Sequence, residues 1–150
     1  MEKMSDRLSE RLRDPKVAHD TRLLGDFAVI YCKGRHAGRL RTALATPGAD
    51  LGIYGKHAPC LCEECAGLLE YAEKRRAFCP QDEPGHPKPF CSHCETHCYS
   101  PEKRELMRDA MRYAGPRSML HGHAVDGVKH MIEGRKHRAA ARDAGSASRD

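Results

Sequence analysis

Two Cys-x2-Cys pairs constrain this chain more than any other feature of it. Cys62-x2-Cys65 is followed by Cys91-x2-Cys94, and the second pair runs on through His97 to Cys98. Two residues between thiols let both sulfurs reach one metal ion without straining the backbone, so a doubled pair is a strong ligand signature. Cys79 lies between the pairs and Cys32 lies upstream. The candidate cysteines are Cys32, Cys62, Cys65, Cys79, Cys91, Cys94 and Cys98. Cys60, two residues before Cys62, reads as a bystander that can at most add to the site.

Composition explains why such a site is needed. Of 150 residues, 39% are apolar, 5% are aromatic and none is Trp. A domain with so little core material needs a second source of stability. No apolar run approaches the roughly 20 residues that cross a bilayer. The charged N-terminus does not read as a secretory signal. The expected compartment is the cytoplasm, where eight cysteines serve metal ligation or redox chemistry rather than disulfides. A net charge of +5 permits contact with nucleic acid without requiring it.

The pattern of elements is helical. Met4, Leu8 and Leu12 recur every fourth residue and predict a short amphipathic helix that stops at Asp14-Pro15. A longer helix is expected over 16–33, with Leu23, Phe27 and Ile30 on its apolar side and Gly34 as its stop. Residues 46–59 hold Pro, Gly and Asp and read as a loop. The next helix covers 62–77 and carries Cys62 and Cys65 in its first turn, where the helix's positive end lowers a thiol pKa. Five residues of the segment 80–90 are Pro or Gly, which suits a loop. Ser100-Pro101 is a helix start and Gly115-Pro116 its expected end. A last helix over 123–133 is expected to bury Val125, Val128 and Ile132. The fold class is mostly α, with little or no β: a small helical domain organised around a cysteine-rich metal or cluster site. Residues 1–15 form an N-terminal extension able to be helical, 16–133 a single domain, and 134–150 a disordered basic tail.

Several partitions of the ligands are compatible with the spacing. Cys62, Cys65, Cys91 and Cys94 could form one four-thiolate zinc site. Cys79, Cys91, Cys94 and Cys98 could hold a four-iron cluster, leaving the others spare or on a second site. A two-metal site with shared thiolates is a third arrangement. Zn2+ and an iron–sulfur cluster both suit soft thiolates, so donor type does not choose between them. His36 follows Cys32 by four residues and shares its face if the helix continues. His93 and His97 sit within the second cysteine run. Each of these three imidazoles can ligate or can steady a thiolate from outside. Arg104, Arg108 and Arg112 line one side of their helix and Arg117 lies just beyond. This basic stripe reads either as a solvated face paired with Glu105 and Asp109, or as a grip on phosphates or on a charged cluster. No exposed aromatic pattern is legible beside it, which counts against single-strand binding.

One resemblance runs through these motifs. Leu61-Cys-Glu-Glu-Cys65, then Leu69-Glu-Tyr71-Ala72, Arg75 and Cys79-Pro80, form its first half. Lys88-Pro-Phe-Cys91-x2-Cys94-x2-His97-Cys98-Tyr99-x-Pro101 continues it, with Arg104-Glu105, Met107-Arg108, Met111-Arg112-Tyr113 and Gly115-Pro116-Arg117 behind. Ile30-Tyr31-Cys32 and His36 extend it upstream. Over residues 16–133 the chain resembles the nitrous oxide-stimulated promoter family of small bacterial proteins. Position by position, the seven cysteines named above match that family's pattern and Cys60 does not. Ala124 stands where the family pattern expects a proline after His123. The resemblance implies a role under nitrosative stress and supplies no activity.

The expected function is thus a cytosolic metal- or iron–sulfur-binding protein of the nitrosative or redox stress response, more a binding protein than an enzyme. Nitric oxide or an oxidant would be its small-molecule partner. The alternatives are a zinc-folded nucleic-acid-binding module, and a thiol oxidoreductase using Cys62-x2-Cys65. No membrane partner is expected, and no glycine-rich phosphate loop or paired-carboxylate site is present.

Overall fold

A computed structural model describes residues 2–80, 98–121 and 124–147. Helix α1 spans Glu2–Leu12 and α2 spans Pro15–Arg35. Two residue pairs, β1 (Thr42–Ala43) and β2 (Cys60–Leu61), form a minimal antiparallel ladder around a single short turn of helix, α3 (Pro47–Asp50). Helix α4 covers Glu63–Ala77, α5 covers Pro101–Ser118, and α6 covers Ala124–Ala147 after a 3-10 turn at Met119–His121. The mostly α expectation holds, with strand limited to those two pairs among the described residues.

Local chemistry sets the boundaries. Asp14 caps α2, its carboxylate accepting from the amides of Lys16 and Val17 at 2.9 and 3.2 Å, while Pro15 takes the first helical position. Ser100 accepts from the amide of Lys103 at 3.4 Å and starts α5 at Pro101. Thr46-Pro47 uses the same device: the Thr46 hydroxyl accepts from the Ala49 amide at 3.3 Å. That start was hidden in a stretch that reads as loop.

Helix α2 is the centre of the fold and packs along both α4 and α5. Its buried stripe is Val17, Thr21, Gly25, Ala28 and Cys32, not the larger residues Leu23, Phe27 and Ile30. Small side chains let the neighbours approach closely. A Cβ at position 25 would stand 2.4 Å from the Tyr54 ring, so that ring lies directly on the helix backbone. One apolar cluster joins Ala28, Cys32, Leu44, Leu61, Cys62, Cys65 and Leu69. A second joins Leu8 and Leu12 of α1 to Val17 and Ala77, which ties the N-terminal helix to the domain, although Met4 stays 59% exposed. A third joins Leu68 and Ala72 to Met107 and Ala110.

The loop between the strand pairs is anchored by a buried carboxylate. Glu73 of α4 accepts from the Thr46 hydroxyl at 2.6 Å, from the Tyr54 hydroxyl, and from the Gly48 amide at 3.4 Å. Burial raises the Glu73 carboxyl above its ordinary value, against the pull of those three donors.

Two helix ends differ from expectation. Gly115-Pro116 does not stop α5, which continues to Ser118. Proline in a last turn frees one carbonyl near an end where carbonyls are already unpaired, so its cost is small there. Helix α6 runs on to Ala147, well past residue 133, and residues 134–147 are helical where a disordered tail was expected. Val128 and Ile132, expected to be buried, are 48% and 47% exposed. Among the described residues no helix is long and apolar enough to cross a membrane.

Candidate metal centre

The end of α2 meets the start of α4, and the two local motifs converge there. Cys32 lies in the last turn of α2, and His36 is its cap, its amide donating to the Cys32 carbonyl at 2.9 Å. The spacing of four puts both side chains on one face. Across from them, Cys62 occupies the cap position of α4 and Cys65 its first turn. One ligand atom from each of Cys32, His36, Cys62 and Cys65 lies within 4.8 Å of all the others, and all four residues are buried. Among the described residues no other such group of Cys, His, Asp or Glu comes together.

The contacts inside the quartet are short. His36 Nδ1 is 3.4 Å from Cys62 Sγ and 3.3 Å from Cys65 Sγ. The Cys62 amide donates to Cys32 Sγ at 3.4 Å. Burial pushes the Cys62 thiol up, but bonds from the Cys65 amide and thiol, His36 and Cys32 outweigh it and bring the thiol down to about 6. Cys65 moves the other way: burial, the bond with Cys62 and the neighbouring sulfurs all raise it. Three buried sulfurs within 4.8 Å of one another repel as thiolates, so a cation among them would favour ionisation of all three. Three soft thiolates and one imidazole form a donor set that zinc takes up in closed structural sites. The quartet therefore fits a metal ion.

Groups around the quartet complete it. Tyr31 meets the His36 ring edge-on at a centroid distance of 5.1 Å and holds its plane. Arg39 reaches back from the loop to bond Glu64 at 2.8 Å and lies beside Cys62, both contacts raising its pKa. Arg39, Leu40, Cys62, Glu63 and Glu64 line a shallow hollow, so Cys62 is the sulfur nearest the surface. Tyr31 stands in the Ile30-Tyr31-Cys32 string and Arg39 in no motif, and neither reads as a candidate site residue from the sequence. Only the arrangement in space identifies them.

Among the described residues, the other sequence-derived cysteines stand apart from the quartet. Cys60 is exposed on β2. Cys79 lies beyond the far end of α4, about 20 Å along the helix from Cys65 at 1.5 Å per residue, and cannot share an ion with it. Cys98 is half-buried just before α5 and is not one of the four. Cys91, Cys94, His93 and His97 lie outside the described residues. Among the described residues, the companions of Cys62 and Cys65 are Cys32 and His36.

The basic stripe does not face the sulfurs as one unit. Arg108 pairs with Glu105 at 3.2 Å and Arg112 with Asp109 at 3.7 Å, as a solvated face would. Arg104 is exposed. Arg117 instead stacks on Tyr113, 3.9 Å from the ring centroid.

Comparison with known proteins agrees with these motifs. The model of a family described as nitrous oxide-stimulated promoter matches residues 15–143. The uncharacterized protein YgbA of Escherichia coli (strain K12) is 46% identical over 70 residues, which are 47% of this chain and 56% of that protein. The chain thus spans little more than half the length of the curated relative it matches. No solved structure matches. With the family match running from the first residues of α2 into α6 and enclosing all four members of the quartet, the chain belongs to the nitrous oxide-stimulated promoter family.

Proposed function

We propose that Cys32, His36, Cys62 and Cys65 hold a single metal ion, zinc, and that this thiolate centre serves the cell's response to nitrogen oxides or oxidants. The observation that carries the reading is the closeness of four buried donors. Ligands of one tetrahedral zinc stand about 3.5 to 3.8 Å apart, given bonds of about 2.3 Å to sulfur and 2.0 Å to nitrogen. The two measured sulfur–nitrogen separations, 3.3 and 3.4 Å, fall close to that spacing. A cuboidal iron–sulfur cluster binds each thiolate to a different iron and spreads its ligands wider. Bound zinc has no redox chemistry of its own; it keeps thiolates deprotonated and fixes their positions.

The stress role is supported by the family's description and by the chemistry of the donors, since metal-held thiolates are targets of nitrogen oxides and oxidants. Of the three sulfurs, Cys62 lines the surface hollow and would be met first. The carried-over thiols Cys79, Cys91, Cys94 and Cys98 would form a separate centre, zinc or iron–sulfur, if they ligate.

Metal analysis of anaerobically purified protein tests the reading. One zinc per chain, with X-ray absorption showing three sulfurs and one nitrogen around it, is the expected result. Iron arriving with visible absorption in addition would mark a second centre. Well-folded protein without metal would end the proposal. Anaerobic exposure to a small S-nitrosothiol, which transfers NO⁺ to a protein thiolate and departs as its own thiolate, tests the stress role: zinc release is expected, and full retention would refute it.

A further inference from the structure

Beside the metal centre, on the α2–α5 face, lies a groove of about 450 Å³ whose chemistry the quartet does not use. Its walls carry Arg35 from α2 and Arg112 and Arg117 from α5, against one carboxylate, Asp109. Arg112 is paired with that carboxylate at 3.7 Å. Arg35 and Arg117 have no acidic partner among the described residues. Both instead lie against Tyr113, 4.9 and 3.9 Å from its centroid, and Arg117 is further fixed by donating to the Tyr113 carbonyl at 2.7 Å. Stacking orders a guanidinium while leaving its in-plane donors free.

The platform beneath these groups is built into the backbone. A Cβ at position 34 would stand 2.0 Å from the Tyr113 hydroxyl oxygen, so glycine there is what lets the ring lie on α2. Tyr31 forms the inner wall, its ring edge-on to Tyr113 at 6.1 Å and to His36 at 5.1 Å. The aromatic partners that the sequence did not show for the arginine stripe are therefore present, supplied in part from another helix.

We propose that this groove binds a small molecule bearing a diphosphate group, held by Arg35 and Arg117 over Tyr113. Two ordered guanidiniums from different helices suit two linked phosphates, each able to accept paired N–H donors. The volume admits a compact ligand of nucleotide size. Inorganic pyrophosphate and a nucleoside diphosphate share this chemistry.

Calorimetric titration of the full chain with pyrophosphate, and separately with ADP, tests the site. Saturable one-to-one binding that weakens with salt is expected with one or both; tighter ADP binding assigns the nucleotide as the source, equal binding the inorganic ion. Arg35→Gln and Arg117→Gln should each weaken it about tenfold or more, and Arg104→Gln, outside the groove, should leave it unchanged. Arg35 and Arg117 are both exposed, so the variants keep the core intact. No binding of either ligand at millimolar concentration, or equal affinity in all three variants and the parent chain, overturns the proposal. So does binding of a single-stranded oligonucleotide that pyrophosphate fails to displace.

Discussion

Replacing His36 with alanine removes one of four donors from the quartet and leaves the three sulfurs in place. The apparent free energy of a four-ligand structural zinc site is about 10 to 16 kcal/mol, so an even share for one ligand is about 2.5 to 4 kcal/mol. That predicts zinc affinity two to three decades weaker in His36→Ala. The imidazole is positioned for this cost, with its Nδ1 within 3.4 Å of two sulfurs and only 8% of the residue exposed. It also packs on Tyr31, so a purely structural loss must be separated from a lost ligand. Two controls do so. His36→Cys supplies a fourth thiolate and should recover most of the affinity. Thermal melts in excess chelator should bring the parent chain and His36→Ala together, since stripped protein no longer draws on the ligand. Competition against a chromophoric chelator reads the affinity directly. Equal zinc affinity in His36→Ala and the parent chain would refute the reasoning. So would a His36→Cys variant no tighter than His36→Ala.

Other outcomes follow from the same geometry. Leu69→Ala should cost about 2 to 5 kcal/mol in denaturant unfolding, because Leu69 is fully buried among three of the ligands. Glu73→Ala should cost about 2 to 4 kcal/mol by the same assay, leaving the Thr46 and Tyr54 hydroxyls and the Gly48 amide without their acceptor. Burial holds the Glu73 pKa above its unfolded value, so its share of stability is full below the ordinary carboxyl range and falls as pH rises through the folded value; Glu73→Gln should flatten that slope in melts taken between acid and neutral pH. Cys60→Ser and Cys79→Ser should leave the affinity of the quartet's zinc unchanged in the chelator assay, and a tenfold loss in either would place it in the site.

The two halves of the quartet were each legible, and their meeting was not. Cys32 and His36 are four apart, and Cys62 and Cys65 three apart, so helical geometry alone puts each pair on one face. That the end of α2 abuts the start of α4 depends on packing between distant segments, which no local spacing encodes. The repeated Cys-x2-Cys pattern points to a second pair that lies outside the described residues, while the companions seen beside Cys62 and Cys65 are Cys32 and His36. The buried side of α2 misled for a related reason. Its stripe of Thr21, Gly25, Ala28 and Cys32 is small rather than strongly apolar, because Tyr54 and the neighbouring helices fill the space. The extra length of α6 was hidden because an exposed Arg- and Ala-rich segment has the composition of both a helix and a tail.

The order of the ligands along the chain has a mechanical outcome. Cys32 and His36 precede residues 37–61, and Cys62 and Cys65 follow them. An ion bridging the two pairs would act as a removable cross-link over that span, comparable in size with a disulfide closing a similar loop, about 3.5 kcal/mol. Breaking it would loosen the part of that span next to His36, where Leu40 is already 86% exposed, while Glu73 still holds the loop around Thr46 and Tyr54. Chemistry at a single sulfur would then be converted into slack in a stretch of backbone, a change another molecule could feel.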